Sequence, residues 1–143
     1  MLEETHNLTT DLNKHHHTVN YYKGVMLENH YDFLNIEAHL SNKVIEERLI
    51  QEVESNKGEP HILSNGARFY TPSPEFNALF LLRHAAAHFA AERIGVRHLV
   101  DWALFLNHYS DKVDWRRFYH FAKEMNMHRF LNSINTICIE QLG

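Results

Sequence analysis

The sequence predicts an α+β fold: a small antiparallel β-hairpin and sheet portion followed by a mainly helical C-terminal bundle. Three observations carry this. Two early stretches rich in β-formers flank the turn dipeptides Lys23-Gly24 and Asn65-Gly66. From Pro74 onward, apolar residues recur at helical spacing between residues suited to starting and stopping helices. At 143 residues and 44% hydrophobic content, the chain fits one domain with a real core. Residues 1–71 would supply the hairpins and one helix, and residues 72–143 the bundle.

Each element follows in order. The first dozen residues are polar, and Thr9, Thr10 and Asp11 offer no periodicity. HTVNYY and VMLENHYDF then alternate around Lys23-Gly24. A two-residue turn there would pair Tyr22 with Val25, Val19 with Glu28, and His17 with His30. Side-chain alternation then puts His17, Val19, Met26, Glu28 and His30 on one face. Ser41 is expected to cap a helix through about Ser55, with Ile45, Leu49 and Val53 along its inner stripe. Glu46, Glu47, Glu52 and Glu54 would form its solvated face. HILS and ARFYT flank Asn65-Gly66, the favoured type I′ pair.

Ser73 suits an N-cap, Pro74 the first helical position, and Gly95 a C-terminal stop for the helix between them. That helix is apolar on nearly every side and must be largely covered. VRHLVDWALFLNHY reads as the next helix. Asp114 is the N-cap expected for a third, with Phe118, Phe121 and Ala122 inward. A last helix would run from about Met127 to Leu142, presenting Phe130, Leu131, Ile134, Ile137 and Cys138. Trp102 and Trp115 are expected to fill core.

Composition narrows the function. A formal charge of -4 offers no global basic field for nucleic acid. Thirteen histidines make the net charge sensitive between about pH 5 and 7. A single cysteine, Cys138, cannot form an internal disulfide, which favours a reducing, cytoplasmic setting. No apolar run reaches the length of about 18 residues that a membrane span needs, so no membrane partner is expected. Nothing resembles a Gly-rich phosphate loop, a nucleophile elbow or paired Cys-x-x-Cys ligands.

Two constellations could carry chemistry. Glu28, flanked by His30 and His17, could bind a divalent metal or act as a general base. One carboxylate is too few for magnesium-dependent phosphoryl chemistry, and the alternative is a solvated hairpin face. His84 and His88 stand four apart on one helix face, the spacing used by helical zinc sites, with Asp101 or Glu92 as a third ligand. The alternative is a buried imidazole hydrogen-bonded to Asp101. Ala85 stands where a metalloprotease would carry its general base, which removes that reading. Arg97 and Asp101, also four apart, could pair along the helix, while Arg83 could serve Asp101 or a phosphate. Arg116, Arg117 and Lys123 read as surface. Cys138 has no activating neighbour in sequence and reads as a small core residue.

KHHHTVNYYKGVMLENHYDF, then PSPEFNALFLLRHAAAHF, then RHLVDWALFL and VDW, occur in an order that resembles the later portion of an uncharacterised bacterial nucleotidyltransferase-like family. That family falls in the polymerase-β-type superfamily, and the resemblance spans about Leu12 to Gly143. It implies a Gly-Ser turn and an Asp-x-Asp strand holding two metal ions and a nucleoside triphosphate, with a third carboxylate on a neighbouring strand. Glu28, in LENH, matches that third position, and His30 stands where the family favours histidine. The helical half would shape the acceptor pocket, with His88 and Asp101 at recurrent polar positions.

The chain departs from this pattern. Gly24, Gly58 and Gly66 are followed by Val25, Glu59 and Ala67, and no Asp-x-Asp occurs. The expectation is therefore the C-terminal portion of a nucleotidyltransferase, or a naturally shortened relative of one, that is inactive alone. Mg²⁺ and NTP would be needed by the complete enzyme, and neither should bind this chain tightly. The acceptor is unknown. Two alternatives stand beside it. One is a binding or assembly module that self-associates, or takes an N-terminal partner, through an open sheet edge at His15–Tyr22. The other is a helical metal protein built on His84, His88 and Asp101.

Overall fold

A computed structural model describes residues 9–11, 17–30, 32–37, 39–55, 57–91 and 94–142. The chain divides into two compact units, Met1–Glu47 and Arg48–Gly143. The architecture is α+β, with helices filling the C-terminal part, as the patterning requires.

The first unit holds a three-stranded antiparallel sheet, in the order β1 (Thr9–Asp11), β2 (His17–Tyr22), β3 (Val25–His30). The β2–β3 register is the expected one: His17 faces His30, Val19 faces Glu28 and Tyr22 faces Val25. Lys23 and Gly24 both have positive φ, 50° and 78°. A type I′ turn demands this of its two central residues, and its twist matches that of the strands. β1 is a strand that periodicity does not reveal, because three residues are too few to show alternation. It pairs Thr9 with Tyr21, Thr10 with Asn20 and Asp11 with Val19. β2 is therefore the central strand, and the open edge expected along His15–Tyr22 is covered at Val19–Tyr21. Among the described residues, the sheet's edges are β1 and β3.

Helix α1 covers Leu40–Ser55. His39 does the capping expected of Ser41: its ring Nδ1 accepts the Ser41 N–H at 3.2 Å, and its carbonyl accepts the Asn42 N–H at 2.9 Å. The buried stripe comprises Asn42, Ile45, Glu46, Leu49 and Glu52, while Val53 is exposed. This corrects the expected solvated face, from which only Glu47 and Glu54 remain exposed. Both buried acids have partners. Glu46 accepts two backbone N–H groups, and Glu52 takes a charge-assisted bond from Arg48 one turn earlier at 2.5 Å.

In the second unit, β4 (Lys57–Ile62) and β5 (Arg68–Pro72) form the second hairpin. Its turn is not type I′. The Gly66 N–H reaches the Leu63 carbonyl and the Leu63 N–H reaches Ala67, so three residues separate the last pair. Gly66 alone is left-handed, at φ 83°. This is a type I turn closed by a glycine bulge, with the Asn65 side chain accepting the Ala67 N–H. At the other end of the ladder, Gly58 passes so close to β5 that a Cβ would overlap the carbonyl oxygens of Thr71 and Pro72.

Helix α2 (Pro74–Ala91) begins as expected, with Ser73 Oγ accepting the Phe76 N–H at 3.1 Å. Gly95 does not end it. It is the N-cap of α3 (Val96–Tyr109), with extended φ and ψ of -90° and 157°. A 3₁₀ turn at Ser110–Lys112 leads to α4 (Trp115–Glu124), capped by Asp114 Oδ1 on the Arg117 N–H. Asn126, at φ 59°, closes α4 in a Schellman arrangement: Met127 N–H to Ala122 and Asn126 N–H to Lys123. Helix α5 spans His128–Ile137 and loosens into a π turn at Cys138–Leu142, shortening the expected last helix.

The core of this unit includes Phe76, Leu79, Leu82, Trp102, Phe105, Phe118, Leu131 and Ile134. Trp115 is only half-buried, with its indole N–H on the Ser110 carbonyl, so it fills core less than expected. Among the described residues, no helix is long and apolar enough to cross a membrane.

Candidate functional site

On the sheet, the two registers align Asp11, Val19 and Glu28 in one row across three strands. His17 and His30 are paired two positions further along the same ladder. The row thus adds an acidic position to the Glu28–His30–His17 group. Asp11 and Glu28 are separated by two strand spacings, about 10 Å. Val19 between them is buried. β2 itself carries no carboxylate.

A second group lies where α2 meets α3. His84 and His88 share a face of α2, and their rings meet edge-on with centroids 4.6 Å apart. His98, in the first turn of α3, completes the group at 4.5 Å from His88 and 5.4 Å from His84. One ligand atom from each ring lies within 4.8 Å of the others. Gly95 sets His98 here, since its N–H donates to the His98 Nδ1 at 3.2 Å and fixes the ring beside the first turn. Phe80 stacks on His84 one turn earlier in α2.

The expected buried imidazole is not found: His84 is exposed, and His88 and His98 are half-buried. Packing among rings still strips part of the water from His84. That desolvation lowers its pKa, and nearby His88, His98 and Arg97 push it the same way, against an opposing pull from Asp101. His84 is therefore biased toward neutral imidazole, the form that binds metals. Asp101 is exposed and lies 3.8 Å from Arg97 Nε, as their spacing suggests. Glu92, the other expected ligand, lies outside the described residues, as do His15 and His16.

Sequence reasoning missed two further features. Arg48, Glu52, Glu75, Asp114, Arg117, His120 and Glu124 line a cleft of about 300 Å³ with charges of both signs. Helical periodicity sees each only as a polar position on its own helix. The other is the Glu46 carboxylate, which accepts the Phe33 and Leu34 N–H groups at 2.9 Å each. Burial lowers the pKa of Arg83, also half-buried. The Cys138 thiol is buried, donates to the Leu99 carbonyl and has its pKa pushed up, so it is unreactive core as expected.

No curated protein and no solved structure matches the chain. One family does, described as uncharacterised nucleotidyltransferase, over residues 1–143. It is the kind of family that the LENH strand and the two helical motifs resemble, and the chain belongs to it.

Proposed function

We propose that this chain is the C-terminal, acceptor-side portion of a cytoplasmic nucleotidyltransferase and does not transfer nucleotides unaided. The observation that carries the reading is a family match across residues 1–143 in a sequence without Gly-Ser or Asp-x-Asp. Glu28 stands as the third carboxylate of the family's set. A site for a pair of magnesium ions needs several carboxylates converging within a few ångströms, whereas positions 11 and 28 lie two strands apart with Val19 between. Phosphoryl and nucleotidyl transfer depend on positioning and charge neutralisation, so losing that carboxylate strand removes most of the rate. The helical unit would then contribute acceptor contacts.

Incubating the purified chain with Mg²⁺ or Mn²⁺ and each NTP, and following pyrophosphate release, should give no signal above a protein-free blank. Turnover that Glu28→Ala abolishes would overturn the proposal.

A second reading, assembly through the sheet, is favoured by one observation. Tyr21, Tyr22, Val25, Met26 and Leu27 are large apolar residues gathered on one hairpin, each 39–59% exposed. Together with the β3 edge, they suit pairing with a second copy or a separate partner. Light scattering after size exclusion should show mass rising with concentration, and Leu27→Lys should suppress the rise. A strictly monomeric wild type at high concentration removes this reading.

A further inference from the structure

We infer that His84, His88 and His98 form a binding site for one late first-row divalent ion, zinc in particular, bridging α2 and α3. The geometry of imidazole ligation supplies the argument. Tetrahedral Zn–N bonds of about 2.05 Å place ligand nitrogens about 3.4 Å apart and ring centroids about 5 Å apart. The observed centroid separations, 4.5, 4.6 and 5.4 Å, bracket that value. The nitrogens, within 4.8 Å of one another, need only modest ring rotation to close around an ion. His84 is exposed and the other two half-buried, so the ion has a way in.

The donor type selects the ion. Three neutral imidazoles with an open fourth position suit zinc, copper or nickel, while magnesium and calcium require oxygen donors. The site joins a pair at i and i+4 on one helix to the first turn of the next. A bound ion would therefore act as a staple across the α2–α3 connection, with water in the fourth position.

Coordination has one local consequence. His98 Nδ1 accepts the Gly95 N–H. If the metal takes Nδ1, that lone pair is no longer available. If it takes Nε2, the neutral ring carries its proton on Nδ1, which then faces the Gly95 hydrogen. Either way the Gly95 N–H must be released. Gly95 is exposed, so water replaces the lost acceptor. Its amide resonance thus reports on metal at His98.

The test uses the full chain without an affinity tag, stripped of metal and titrated with Zn²⁺ against a chromophoric chelator. One equivalent should bind, Co²⁺ should give the visible absorption of a four-coordinate ion, and the Gly95 amide should shift with Zn²⁺ but not with Mg²⁺. His84→Ala, His88→Ala and His98→Ala should each weaken binding at least ten-fold. Replacing His15, His16 and His17 together by alanine should leave it intact. Absence of stoichiometric zinc, affinity unchanged by the three single substitutions, or binding lost in the 15–17 variant would each overturn the site. If the half-buried positions do not tolerate alanine, exposed His84 carries the test alone.

Discussion

Trp102→Ala is expected to destabilise the helical unit by about 3–5 kcal/mol, the usual cost of emptying a fully buried large aromatic position. Trp102 is 1% exposed and stands in the middle of α3. Its ring lies beside Phe105 and meets Trp115 edge-on at 6.3 Å. Its indole N–H donates to Asn135 Oδ1 at 2.7 Å, tying α3 to α5. Truncation removes apolar burial, leaves a cavity and takes the donor from Asn135, so three penalties fall on one site. Against a typical domain stability of about 5–15 kcal/mol this is a large fraction. With a urea slope of about 1–3 kcal/mol/M, the unfolding midpoint should fall by more than about 1 M. Trp115 remains as the fluorescent reporter. Trp102→Phe separates the contributions in part, because it keeps an aromatic ring in the pocket, loses the hydrogen bond and leaves a smaller void. Its cost should be about 1–2 kcal/mol, since half-buried Asn135 can turn to water. A midpoint unmoved by Trp102→Ala would mean that α3 does not organise this core.

What could be read in the residues, and what could not, divides by range. The first hairpin was legible down to its register, because a turn dipeptide with obligatory left-handed φ fixes every pair that follows. The Ser73 and Asp114 caps were legible because capping is settled within three residues. Gly95 and Asn65-Gly66 were misread for one shared reason: a glycine announces a break and leaves its geometry open. Gly95 suits a helix N-cap as well as a C-terminal stop, and Gly66 suits a bulge as well as a type I′ turn. Among the histidines, the spacing of His84 and His88 is local arithmetic. His98 enters the group only through the path of the connection between two helices, which periodicity does not encode. The cleft around Arg48, Glu75 and Asp114 assembles residues from three helices or their caps and is invisible for the same reason. β1 was missed because its evidence lies in its partner strand and not in its own three residues.

The buried Glu46 is the strongest case of a long-range feature with a measurable consequence. Its two carboxylate oxygens accept the N–H groups of Phe33 and Leu34, residues 13 and 12 positions earlier in the chain. Glu46→Ala leaves both donors without that acceptor and should cost about 2–4 kcal/mol, taking about 1–2 per charge-assisted bond. Glu46→Gln keeps the shape but turns an amide NH₂ toward one of the donors, so about half of that loss should appear. The pH dependence then identifies which force governs the carboxyl. Burial raises its pKa, the Phe33 and Leu34 donors oppose this, and neighbouring Asp32 adds to the rise. With the net shift upward, the folded chain holds the proton more tightly than the unfolded chain. The associated stability is fully present below the ordinary carboxylate value and is lost as pH rises through the folded pKa. Glutamine does not titrate. The stability gap between wild type and Glu46→Gln, measured by urea unfolding from about pH 4 to 7, should therefore narrow with increasing pH. A gap that widens over that interval would show the two N–H donors outweighing desolvation, and Glu46 would then be an anionic anchor for the 32–37 segment.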